Sequence, residues 1–80
     1  MSDVYAVLVI FGVITGSFGP VDYSLKECIQ RTQELNADLS AGETFEHKGK
    51  QLSYPDVFFD CVPSEDRPPL GIPFKDYLDQ

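Results

Sequence analysis

The segment from Val4 to Phe18, VYAVLVIFGVITGSF, carries no charge, and it lies near one end of a chain of only 80 residues. A transmembrane helix needs about 20 apolar residues to cross about 30 Å of hydrocarbon. This run is shorter and lacks flanking cations: Met1, Ser2 and Asp3 precede it, and Lys26 is the next basic residue. Asp3 also has the wrong sign for the start of a secretory signal. A buried β-strand fits the composition better. Val4, Val7, Val9, Ile10, Val13, Ile14 and Thr15 are β-branched and suit a pleated surface. Read straight through, Tyr5, Val7, Val9, Phe11 and Val13 form one face and Ala6, Leu8, Ile10 and Ile14 the other. A strand apolar on both faces is expected to be covered on both sides. One helix cannot easily do that in so short a chain, so the second face is expected to meet another subunit, another protein or a membrane. An envelope anchor or a signal at Val4–Phe18 stands as the alternative.

Gly16, Gly19 and Pro20 break this run. Ser24-Leu25-Lys26-Glu27 then matches a capping box, with Tyr23 and Cys28 at the staple positions. Leu25, Cys28, Ile29, Thr32, Leu35 and Leu39 recur at helical spacing, and Lys26, Gln30, Arg31, Gln33, Glu34 and Asp38 form the solvated side. Gly42 is the expected stop. His47-Lys48-Gly49-Lys50 centres a loose hairpin, which puts His47 near an exposed tip. Val57 to Val62 is a second strand bounded by Pro55 and Pro63. Helical connection from the first strand is long enough for a right-handed parallel crossover.

Helix periodicity places Cys28 on the packing side. Strand alternation can place Cys61, with Val57 and Phe59, opposite it. The two cysteines are expected to touch, either as a disulfide worth about 3–4 kcal/mol or as two buried thiols in a reducing compartment.

Thirteen acidic against six basic residues give a charge of −7, which disfavours binding to nucleic-acid phosphates or anionic membranes. The same balance can dock on a basic partner. With two cysteines and one histidine, a zinc site lacks ligands. No phosphate loop, nucleophile elbow or C-x-x-C pair is present, so neither a cofactor nor a catalytic residue is assigned and the chain is expected not to be an enzyme. After Pro63, the segment to Gln80 holds Pro68, Pro69, Pro73 and Gly71. It also carries Leu70, Ile72, Phe74, Tyr77 and Leu78, more apolar side chains than a solvated tail requires. Such an arm either wraps its own core or docks on a neighbour as a proline-stiffened peptide.

These readings sum to a small α+β domain, β-α-β with a further strand, over residues 1–63, followed by an extended Pro-rich arm over 64–80. The apolar N-terminal segment, the Tyr23-Ser24-Leu25-Lys26-Glu27-Cys28 helix start and the closing Phe59-Asp60-Cys61-Val62-Pro63 resemble a loose group of small bacterial and phage proteins. The resemblance covers about residues 4 to 63 and implies a fold and a cysteine pairing, but no activity. The expectation is a structural or accessory protein, such as a phage capsid or tail component, that docks on other protein subunits through Leu70, Ile72, Phe74, Tyr77 and Leu78. An acidic inhibitor of a host nucleic-acid enzyme and an envelope-anchored protein are the rivals.

Overall fold

A computed structural model describes residues 3–79; the outer limits of the expected domain and arm, residues 1, 2 and 80, lie outside the described residues. The elements are β1 (Asp3–Ile10), β2 (Val13–Phe18), α1 (Leu25–Ser40), β3 (Phe45–His47), β4 (Lys50–Leu52), β5 (Val57–Ser64) and α2 (Phe74–Leu78). The α+β class expected from the pattern is what forms: a three-stranded sheet in the order β2-β1-β5, a small β3-β4 ribbon, and one main helix.

The uncharged N-terminal run is not one strand. It turns back on itself at Phe11 and Gly12, whose φ values of 50° and 80° make the two-residue primed turn that matches strand twist. The turn corrects the face assignment. Because Val9 pairs with Ile14 and Ile10 with Val13, Ile14 joins Tyr5, Val7 and Val9, and Val13 crosses to the side of Leu8 and Ile10. A bulge between Leu8 and Val9 absorbs Thr15, whose hydroxyl donates to the Leu8 carbonyl at 3.3 Å.

The hairpin also changes the crossover. β1 and β5 are antiparallel, from Asp3 opposite Ser64 to Ile10 opposite Val57. Since β2 is antiparallel to β1 as well, β2 and β5 run parallel with β1 between them. The helical connection therefore starts from β2 and skips a strand. Pro63 does not end β5, which continues to Ser64. β5 is an edge strand, where a residue without an N–H is tolerated.

Helix α1 begins where the capping box predicts: Ser24 Oγ accepts the Glu27 N–H at 3.2 Å. The Glu27 carboxylate does not close the box but lies 3.8 Å from Arg31, whose guanidinium sits 4.4 Å above the Tyr23 ring. The helix ends at Ser40, just before Gly42 at φ 115°. Its buried stripe is narrower than expected, comprising Cys28, Thr32 and Leu39, while Ile29 and Leu35 are exposed.

Both faces of the sheet are covered by this chain itself. On one side Leu8, Ile10 and Val57 pack with Leu39 of α1 and Leu52 of the ribbon. On the other, Tyr5, Val7, Val9, Ile14 and Val62 pack with Phe74 of α2, flanked by Phe58, Ile72 and Tyr77. The second face therefore finds its cover within the same molecule, which corrects the expectation that it must meet another one. Residues 64–79 are not held out as an extended arm. They follow the outer edge of β2, where the Gly71 N–H donates to the Ile14 carbonyl at 2.7 Å and the Ile14 N–H to that of Ile72 at 2.9 Å. The Phe74 N–H reaches the Gly12 carbonyl at 2.8 Å. Arg67 caps the far end of this edge by donating to the carbonyls of Ser17 and Gly19.

Candidate docking surface

Cys28 and Cys61 form the disulfide, with Cα atoms 6.0 Å apart and a separation of 33 positions in sequence. Both are buried, at 1% and 8% exposure. The Thr32 hydroxyl lies 3.7 Å from the Cys61 sulfur and donates its proton to the Ile29 carbonyl at 3.0 Å. The bond ties the first turn of α1 to the far half of β5, so it acts as a structural staple.

Asn36, one helical turn after Thr32, was not singled out by periodicity because a polar residue in the stripe reads as a boundary. Its side chain accepts the Phe59 N–H and donates to the Phe59 carbonyl, both at 2.8 Å. Along the same free edge, Val57 N–H donates to the Ser53 carbonyl and Cys61 N–H to the Asp60 carboxylate. Pro63 has no N–H to offer. The outward donors of β5 from Val57 to Pro63 are thus all accounted for. With the other edge held by residues 67–74, neither side of the sheet presents a row of free backbone N–H donors to a partner strand.

The five residues expected to meet a partner separate into two groups. Phe74 is buried against the sheet, and Ile72 and Tyr77 pack beside it. Leu70 and Leu78 remain in water, at 59% and 58% exposure. They are held in place by buried neighbours, since Pro68 is fully enclosed and accepts a hydrogen bond from Ser17 at 3.0 Å.

A second exposed feature sits at the turn of the β1-β2 hairpin. The Phe11 ring projects into solvent at 64% exposure. Beside it, Ile10, Phe11, His47, Lys48, Lys50 and Leu52 line a cavity of about 270 Å³. Ile10 and Leu52 are buried and form an apolar floor. The ribbon turn at Lys48 and Gly49, with φ of 51° and 79°, carries the basic rim. His47 is half-buried at this cavity rather than lying free at a tip, because its cross-strand pairing with Lys50 turns both toward it. No sequence signal placed the hairpin tip against the ribbon, since that contact depends on a turn whose first residue is Phe. Among the described residues, no cluster of three or more His, Cys, Asp or Glu side chains is placed to hold a metal ion, and no helix is long and apolar enough to cross a membrane. No protein family, curated protein or solved structure matches this chain.

Proposed function

We propose that this chain is a non-enzymatic accessory protein that works by docking on another protein through fixed apolar side chains. The observation behind this reading is the exposure of Leu70 and Leu78 on a segment whose neighbours Pro68 and Phe74 are buried. Such a segment is already ordered, so a partner that covers these side chains need not fix a mobile tail first. A capsid or tail component of a phage is the concrete form suggested by the sequence resemblance. The carboxylates on which the rival acidic inhibitor would rely fall on β1, α1, β3, β5 and α2 and on the segments between.

The test places a photo-crosslinking amino acid at position 70, 78 or, as control, the exposed position 26. Adducts expected from 70 and 78 but not 26 should contain one identifiable protein. That protein, once purified, should bind the oxidised chain and lose it to Leu70→Asp with Leu78→Asp. Equal labelling from all three positions, or no adduct at all, would remove the reading.

A further inference from the structure

We propose that the cavity between the β1-β2 turn and the β3-β4 ribbon is a docking site for an acidic peptide segment of a partner protein, anchored by one apolar side chain. The inference rests on the reading that the chain docks on proteins, and it assigns a contact separate from Leu70 and Leu78.

Three observations carry it. First, His47, Lys48 and Lys50 line one rim, and His47 stands directly opposite Lys50 across the ribbon. The chain has thirteen carboxylates, yet among the described residues the one ion pair is Glu27 with Arg31. Glu46, the nearest acidic residue in sequence, pairs with Gln51 on the opposite face of the ribbon. Among the described residues, Lys48 and Lys50 of the rim have no carboxylate within ion-pair distance.

Second, Phe11 occupies a left-handed position where Asn, Asp or Gly is the usual residue. A bulky aromatic there is strained, and its ring is largely in water rather than in the core. Neither turn geometry nor packing explains the choice, whereas a ring standing over an apolar floor at a binding site does.

Third, the cavity of about 270 Å³ is floored by the buried side chains of Ile10 and Leu52, which suits one apolar side chain of a peptide. Charge range selects a short peptide over a polynucleotide. At physiological salt, fields fade over about 8 Å, so the rim governs a ligand confined to the cavity. A long polyanion would extend over the acidic remainder of a molecule 37 Å long.

The experiment titrates the full oxidised chain, followed by backbone amide NMR shifts, with the peptide EEDLDEE and with the control KKNLNKK. Shifts confined to residues 10–12 and 47–52 are expected for the acidic peptide alone, weakening between about 0.02 M and about 0.15 M salt. Lys48→Glu with Lys50→Glu should weaken binding about tenfold or more. Phe11→Asn keeps the turn while removing the ring, so a loss of similar size without a fall in melting temperature supports the site. Binding of both peptides alike, shifts elsewhere, or no binding would overturn it. So would tighter binding of a short oligonucleotide, or self-association abolished by the lysine changes, which would make a second copy the occupant. Crosslinks at 70 and 78 that survive the lysine changes would leave the docking reading standing without this cavity. Peptide shifts here with no crosslink there would leave the reverse.

Discussion

Asn36 of α1 holds both backbone groups of Phe59 on β5, with its amide accepting the N–H and donating to the carbonyl at 2.8 Å each. A single side chain thus imitates the strand that β5 lacks on its outer side, and it fixes the height of the helix against the sheet.

Asn36→Ala should therefore have two effects. Loss of two hydrogen bonds, with the partner groups half-buried, is expected to cost about 1–3 kcal/mol in urea unfolding. The bared edge should also make the chain associate with rising concentration in sedimentation velocity. Asn36→Asp keeps an acceptor but sets a carboxylate against the Phe59 carbonyl, so it should rescue neither. A variant as stable and as monomeric as the parent would show that the cap is dispensable.

The disulfide predicts a redox-dependent stability. Cys28→Ala with Cys61→Ala should unfold about 3–4 kcal/mol more easily than the oxidised chain, from the loop of 33 residues that the bond closes. Intact mass after alkylation in denaturant should show no adduct before reduction and two after it. An adduct without reductant would contradict the pairing.

Phe74 and Leu78 lie four residues apart on α2 yet should differ sharply. Phe74→Ala removes a ring buried against Tyr5, Val7 and Val9 and is expected to cost about 3 kcal/mol. Leu78→Ala should stay within about 0.5 kcal/mol, because its side chain is already in water. Thermal melts of the two variants distinguish them. Equal losses would mean that the C-terminal segment does not pack as described.

At the hairpin tip, Phe11→Asn should raise the melting temperature by about 4–8 °C, corresponding to about 1 kcal/mol of relieved left-handed strain. Gly12→Ala should act in the opposite sense: a Cβ there meets nothing within 4 Å, so only its φ of 80° resists the change. A drop in melting temperature for Phe11→Asn would show that the ring contributes packing outweighing its strain.

The helix was legible because its limits are chemical: Ser24 can accept a bond at the start, and Gly42 can take the left-handed turn after the end. The ribbon turn was legible for the same reason at Lys48-Gly49, as was the Cys28–Cys61 contact from two periodicities meeting. The first hairpin was not, since Phe11 gives no turn signal and an unbroken apolar run reads as one strand. One missed turn then propagated. It reversed the face of Ile14, made β1 and β5 antiparallel rather than parallel, and created a new edge at β2 for the C-terminal segment to cover. The cavity was hidden likewise, because it joins the tip of that hairpin to the ribbon.

The guarded edges carry one further consequence, which concerns copy number. A sheet with open sides can grow by addition, so its width depends on how crowded its surroundings are. Here Asn36 and Pro63 leave one side without free N–H donors and the stretch from Arg67 to Phe74 covers the other, which favours a width of three strands and their covering segment. Packed at high density, neighbouring molecules would meet as separate tiles and not fuse into a ribbon.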